Sequence, residues 1–128
     1  MSASPAVDDR LFAMDRAELD AYPDGVITLA RDGTILRYNR AEAQLSRRDQ
    51  ATTLGLNFFR DVAPCTAVQE FQGRFDAFAA KNDSGVERFD FVFRFAWGVQ
   101  NVSITMIRKA GVPELNLLVT VRSKSGGV

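Results

Sequence analysis

The chain contains one cysteine, Cys65, and no histidine that could activate it. A single thiol cannot close an internal disulfide or build a Cys/His zinc site, and without an imidazole it does not resemble a Cys-His nucleophile. Three roles remain: a small buried side chain, a thiol that responds to oxidation, or a point of covalent attachment. Residue type alone favours the first, since unpaired cysteine is among the most buried residues.

Composition and sequence patterns also limit the possible partners and activities of the protein. The 16 basic and 16 acidic residues cancel, so neither nucleic acid nor an anionic membrane is an expected partner. There is no Gly-rich phosphate loop or nucleophile-elbow pattern, so we expect no enzyme and no metal site. No apolar run approaches the roughly 20 residues that span a bilayer, and the first residues do not form a secretory signal, so a cytoplasmic protein is expected.

The first half of the chain predicts short helices and one hairpin. Residues 8–22 have apolar residues at helical spacing, and residues 23–25 (PDG) interrupt them. Residues 26–29 and 34–38 flank an Asp-Gly pair that favours a tight turn between two strands. Asn39 is placed to cap a helix that ends near two arginines, Arg47 and Arg48.

The second half predicts an irregular segment, a helix and three strands. Residues 51–66 are punctuated by Gly55 and Pro64 and should turn Phe58 and Phe59 inward. Phenylalanines at helical spacing predict a helix over residues 70–81, and alternating apolar residues predict strands over 89–97, 102–106 and 115–121. A chain of 128 residues with these elements is expected to form one α+β domain with a single core.

Three segments carry a family resemblance. Residues 32–41 (DGTILRYNRA), with the order of elements, resemble the PAS sensory fold, a five-stranded antiparallel sheet with flanking helices. Residues 35–42 (ILRYNRAE) and 57–66 (NFFRDVAPCT) resemble the two chromophore-site segments of the photoactive yellow protein family. The resemblance implies an N-terminal cap at 1–24, a PAS core at 25–122 and a C-terminal tail at 123–128.

The resemblance also implies a site. It makes the protein a blue-light photoreceptor with p-coumaric acid (4-hydroxycinnamic acid) held as a thioester on Cys65. Tyr38 and Glu42 would hydrogen-bond to the phenolic oxygen, Ser46 would support Tyr38, and Arg48 would cover the pocket. The other residues implied to line it are Ile27, Phe58, Val62, Ala63, Thr66, Phe93, Phe95 and Trp97.

The proton chemistry of such a site can be argued from the residue types. A phenol has a pKa of about 10, and burial alone would keep it protonated. A phenolate at neutral pH therefore needs donors, and Glu42 can donate only if burial raises its pKa well above about 4.3. The hypothesis is that Glu42 is neutral in the dark and transfers its proton after light isomerises the chromophore. The buried carboxylate would then loosen the packing and release the cap.

Two residues depart from the family pattern. Phe95 stands where many members have Tyr, and Trp97 stands near a Met that assists the return to the dark state, so slow dark recovery is expected. Two other functions remain open: a PAS ligand-binding or dimerisation module with an unmodified thiol, and a thiol redox sensor. The expected partner is an unknown downstream signalling protein, and the expected state is a monomer or weak dimer.

Overall fold

The computed structural model describes residues 10–122, so the first part of the predicted cap and the predicted tail at 123–128 lie outside the described residues. Five antiparallel strands form one sheet in the order β2-β1-β5-β4-β3. Their bounds are β1 Gly25–Leu29, β2 Ile35–Tyr38, β3 Gly85–Phe95, β4 Gly98–Arg108 and β5 Leu115–Val121. The predicted α+β fold with a five-stranded antiparallel sheet is confirmed.

The predicted hairpin joins β1 and β2, and Ile27 pairs with Tyr38 across it. Gly33 turns the chain with a φ of 94°, a conformation that glycine adopts without steric cost. Successive strand residues point to opposite faces of a sheet. Arg37 and Tyr38 therefore direct their side chains to different sides of the same strand.

Short helices flank the sheet. A helical turn at 10–13 precedes α1 (Arg16–Ala21), which a capping box between Asp15 and Glu18 begins. As predicted, the side chain of Asn39 caps the next helix, α2 (Arg40–Ser46), by accepting a hydrogen bond from the Glu42 N–H at 3.1 Å. After α2 comes α3 (Gln50–Thr53).

The central segment contains several non-standard turns. Phe58–Val62 and Gln69–Gly73 are π-helical turns, Pro64–Thr66 is a 3₁₀ turn, and α4 spans Arg74–Ala79. Phe58 and Phe59 are buried, as expected.

The helix predicted over 70–81 is present, but its first turn is π-helical and α4 ends at Ala79. The Gly73 N–H reaches back to the Val68 carbonyl at 3.2 Å, and a Cβ at position 73 would collide with the Gln69 side chain. At the other end, the Arg108 guanidinium donates a hydrogen bond to the Phe78 carbonyl at 3.0 Å and so helps to end α4. The phenylalanines of this segment are nevertheless buried.

The strand predicted over 89–97 is also displaced. β3 begins at Gly85 and ends at Phe95, while Ala96 and Trp97 form the turn into β4. Gly98 pairs with Phe95 and has a φ of 154°, so the chain reverses before Trp97 can enter the strand. Trp97 consequently lies at the end of the sheet and not on its face.

Both faces of the sheet are covered. The main core packs the central segment and α4 against one face and contains Tyr38, Phe58, Phe71 and Phe93. A smaller core on the other face packs Leu11 and Leu19 of the N-terminal helical segments against the sheet. Within residues 10–122, no helix combines the length and apolar character needed to cross a bilayer.

Candidate functional site

Three predicted site residues form one hydrogen-bonded group in the main core. The Tyr38 hydroxyl lies 2.7 Å from the Ser46 hydroxyl, which donates to the Glu42 backbone carbonyl at 2.8 Å. Ser46 has only one proton, so both bonds form together only when Tyr38 is the donor to Ser46. The end of β2 and one face of α2 thus bring Tyr38, Glu42 and Ser46 together.

The Glu42 side chain is 1% exposed, and its Oε1 atom has no hydrogen-bond partner among the described residues. Burial raises the pKa of the Glu42 carboxyl from 4.5 to about 8. At neutral pH this carboxyl is therefore mostly protonated and can act as a donor. Gly25 makes room for it, because a Cβ at position 25 would overlap Glu42 Oε1.

Tyr38 remains a neutral donor. Burial raises the pKa of its hydroxyl far above the usual value, and the nearby Glu42 carboxyl acts in the same direction. The hydrogen bond with Ser46 and the charge of Arg48 oppose this rise. Proton loss from Tyr38 is thus strongly disfavoured in the physiological range.

Cys65 lies apart from this group, in the 3₁₀ turn Pro64–Thr66. Its side chain is half-buried against the main core, and its sulfur accepts the backbone N–H of Arg94 at 3.3 Å. Arg94 belongs to β3, which is an edge strand of the sheet, and Tyr38 belongs to β2, the opposite edge strand. The thiol and the donor group therefore mark two ends of a region that extends across one face of the sheet.

Aromatic and small side chains fill the region between these ends. Phe93 is fully buried and contacts Phe58 and Phe95 with ring centroids 6.4 Å and 5.3 Å away. Phe95 is only partly buried. The other predicted lining residues are buried in or beside the same core: Ile27, Val62, Ala63 and Thr66.

The Thr66 hydroxyl is already used locally. It donates to the Ala63 carbonyl at 2.6 Å and so closes the turn that presents Cys65. Thr66 thus serves the local fold of this turn.

The two arginines after α2 have different contacts. Arg48 is half-buried and donates to the Thr53 hydroxyl at 3.3 Å. It is Arg47 whose guanidinium lies over the Trp97 ring, 4.1 Å from its centroid. The same indole stacks on the Phe95 ring, with centroids 5.2 Å apart and an interplanar angle of 14°.

Sequence reasoning missed Arg47 and Gly25. No sequence signal identified Arg47, because its contact depends on a left-handed backbone conformation with φ 59°. Gly25 did carry a signal, since glycine within a strand often marks a close approach. Its position beside Pro23 and Asp24 made a turn the simpler interpretation.

Known proteins resemble this chain in sequence. A family model described as "PAS fold" matches residues 19–108. The photoactive yellow protein of Halochromatium salexigens is 38% identical over 103 residues, which are 80% of this chain and 82% of that protein. That of Rhodothalassium salexigens is 37% identical over 102 residues, 80% of this chain and 81% of that protein.

Solved structures of other proteins have the same fold. The photoactive yellow protein domain of the sensor histidine kinase Ppr from Rhodospirillum centenum superposes with a TM-score of 0.80 at 40% identity, covering 91% of this chain and 99% of that domain. A PAS domain of an HTR-like protein from Haloarcula marismortui, at 17% identity and a TM-score of 0.64, supports the fold alone. On these similarities, the chain belongs to the photoactive yellow protein family of PAS-fold domains.

Proposed function

We propose that this protein is a blue-light photoreceptor, and not an enzyme, that carries p-coumaric acid as a thioester on Cys65. The relatives described above bear the name photoactive yellow protein. The observation that carries the proposal is the buried Glu42 carboxyl, which has an unpartnered Oε1 and lies in one group with the Tyr38 hydroxyl.

The residues present fit such a chromophore. An orphaned buried polar atom is rare in folded proteins, and where one occurs a functional reason is expected. Glu42 and Tyr38 offer two neutral O–H donors at one end, Cys65 offers a thiol at the other, and the region between is apolar. An elongated aromatic acid with an oxygen at one end and an acyl group at the other matches this distribution.

In the dark, Tyr38 and Glu42 would hold the phenolic oxygen as an anion. O–H donors to an ionised oxygen form hydrogen bonds that are roughly twice as strong as neutral ones. Tyr38 would redirect its proton from Ser46 to the ligand, and Ser46 can then donate to Tyr38 in its place. Arg48 adds a positive charge that acts on the Tyr38 hydroxyl.

When bound, p-coumaric acid would supply absorption of visible light and isomerisation of its double bond. Glu42 would then release its proton toward the phenolic oxygen of the chromophore. The resulting carboxylate would have no cation bonded to it among residues 10–122. An uncompensated buried charge costs several kcal/mol, and a small domain is stable by only about 5–15 kcal/mol. This charge would loosen the packing, and a cytoplasmic signalling partner would detect the change.

We further propose slow dark recovery. Trp97 lies beside Phe95 at the end of the site, near the position where the resemblance implies a Met that speeds thermal return. Flash photolysis of the loaded protein should show slower recovery than in Trp97→Met. A faster return in the unchanged chain would contradict this proposal.

The decisive experiment treats the purified chain with an activated ester of p-coumaric acid and measures its intact mass and absorption. We expect the mass of one p-coumaroyl group, a visible absorption band and loss of both in Cys65→Ser. A chain that keeps its free thiol and stays colourless would contradict the proposal. Mass gains of single oxygen atoms at Cys65 under mild oxidant, without acylation, would instead indicate a redox sensor.

A further inference from the structure

We infer that the Trp97 indole N–H is a third hydrogen-bond donor to the phenolic oxygen of an aromatic acyl ligand, and that Arg47 is the positioning residue that holds the indole in place. This inference rests on the proposed function, because it assigns further residues to the same site.

The first observation is an unused donor. Trp97 Nε1 is buried and has no hydrogen-bond partner among the described residues. An indole nitrogen can only donate, and buried tryptophans usually find an acceptor. Among residues 10–122, the buried side-chain atoms without a partner are Glu42 Oε1, Trp97 Nε1 and Asn116 Nδ2. The first belongs to the ligand site, and Trp97 packs on Phe95, which belongs to its predicted wall.

The second observation concerns the faces of the indole. Phe95 stacks on the ring at 5.2 Å with nearly parallel planes, and the Arg47 guanidinium lies over the ring at 4.1 Å. Both contacts use the faces of the aromatic system, as stacking and cation–π contacts do. The ring edge that carries Nε1–H is therefore left for a polar contact.

The third observation connects Trp97 with the Tyr38 group through Arg47. Arg47 directly follows Ser46, whose hydroxyl is bonded to Tyr38. Arg47 is also the one residue other than glycine in the described chain with a positive φ, 59°, and its N–H bonds to the carbonyls of Ala43 and Gln44. This costly backbone conformation ends α2, and the Arg47 side chain lies over Trp97. Through Arg47 the indole is therefore a near neighbour of Ser46 and Tyr38, the residues proposed for the oxygen end of the ligand.

A donor of this kind would complement Glu42. Glu42 stops donating once it loses its proton, whereas the indole N–H remains a donor at every physiological pH. The Arg47 cation close to the same ring also favours an anionic oxygen. Trp97 would thus stabilise the phenolate in the dark state without taking part in proton transfer.

The test uses the fact that Trp97 is the only tryptophan of the chain. Its indole gives a single ¹⁵N–¹H NMR signal. The protein is acylated at Cys65 with either the p-coumaroyl group or the cinnamoyl group, which lacks the hydroxyl, and intact mass verifies each attachment. We expect a downfield shift of the indole proton with p-coumaroyl that is absent with cinnamoyl.

Variants give a second readout. Trp97→Phe keeps an aromatic ring beside Phe95 and Arg47 but removes the N–H, so the pKa of the bound phenol should rise by about one unit in a spectrophotometric titration. Arg47→Gln should give a smaller rise and a broadened or shifted indole signal. Arg40→Gln, which removes an exposed cation at the other end of α2, is the matched control and should leave both readouts unchanged.

The outcomes separate the two proposals. Failure of acylation would contradict the proposed function and, with it, this inference. Normal acylation with equal indole shifts for both acyl groups, or with an unchanged phenol pKa in Trp97→Phe, would overturn only the role of Trp97.

Discussion

Buried ionisable groups on the two sides of strand β2 differ in their hydrogen bonding. On the side of the main core, Tyr38 lies beside the Glu42 carboxyl, whose Oε1 has no partner in the described chain. On the other side, the Arg37 guanidinium donates to the Thr28 hydroxyl at 2.8 Å and to Asn116 Oδ1 at 3.3 Å. Polar groups that serve only the fold are normally paired. Asn116 Nδ2 on the Arg37 side also has no partner, but all three guanidinium nitrogens of Arg37 are bonded. The contrast therefore lies in the two ionisable groups. On the Tyr38 side (the ligand face) the carboxyl is left for a ligand, and on the Arg37 side (the cap face) the guanidinium is paired for stability.

Arg37 also connects the sheet with the N-terminal segment. It donates to the carbonyls of Leu11 and Met14 at 2.9 Å and 2.8 Å, at the end of the helical turn 10–13. Burial lowers the pKa of the Arg37 guanidinium, and Glu114 opposes that shift. Since Arg37 and Tyr38 are consecutive, the residue bonded to the N-terminal segment and a residue of the proposed site lie side by side on one strand.

The largest expected effect on the free energy of unfolding comes from replacing Glu42, on the ligand face, by a side chain that cannot ionise. The folded protein raises the pKa of Glu42 from 4.5 to about 8, so its contribution to stability is complete below pH 4.5 and is lost as pH rises through 8. In the chain without chromophore, the free energy of unfolding should fall by up to about 5 kcal/mol over this window. Glu42→Gln should remove that dependence in urea titrations.

The exposed carboxylate Glu70 offers the matched control, and Glu70→Gln should keep the full pH dependence. If Glu42→Gln and the unchanged chain lose stability in parallel between about pH 5 and about pH 9, Glu42 is not neutral in the fold.

These two faces also show how far the sequence could be interpreted. The Asp-Gly turn, the Asn39 cap and the alternating strands are local signals, and they predicted the hairpin, α2 and the strands. The resemblance identified Tyr38, Glu42 and Ser46, and the structure brings these three together.

Other features depended on long-range geometry. Arg37 carries no sequence signal, because its partners come from β1, β5 and the N-terminal turn. Trp97 continued the alternation of β3, and only the reversal at Gly98 places it in a turn. The π-helical first turn of the predicted helix likewise carries no sequence signal, because it is defined by backbone bonds such as that from the Gly73 N–H to the Val68 carbonyl.

The second prediction removes the Arg37 guanidinium, which is the paired ionisable group on the cap face of β2. Arg37→Met keeps an unbranched side chain of similar length but leaves the carbonyls of Leu11 and Met14 without their donor. Hydrogen bonds from a charged group contribute roughly 1.5–3 kcal/mol each, so we expect a loss of about 3 kcal/mol. Urea unfolding measures this loss, and limited proteolysis should cut the N-terminal segment faster.

Arg40→Met is the control for the second prediction, because Arg40 is exposed at the start of α2. It should change the free energy of unfolding by less than about 0.5 kcal/mol. Equal losses in the two arginine variants would show that the Arg37 contacts do not stabilise the cap.

The third prediction crowds the ligand face. In Gly25→Ala the new Cβ meets the Glu42 side chain, with Cβ of Glu42 only 3.2 Å away, so the carboxyl must move. Overpacking in a buried site costs roughly 1–3 kcal/mol, and we expect about 2 kcal/mol. The double variant Gly25→Ala with Glu42→Ala should recover much of the loss. A loss that is independent of residue 42 would place the strain in the strand backbone.

The smallest effect is expected at the hydroxyl that links Tyr38 to α2. Ser46→Ala removes the acceptor of the Tyr38 proton, 2.7 Å away, and leaves that buried hydroxyl without its bond. An unmade hydrogen bond of this kind costs about 1 kcal/mol. Ser46→Thr keeps the hydroxyl and should stay near the unchanged chain in urea unfolding. Because Ser46 bonds only within the ligand face, its loss should leave cap proteolysis unchanged, whereas cap cleavage as fast as in Arg37→Met would mean that the two faces are not separate.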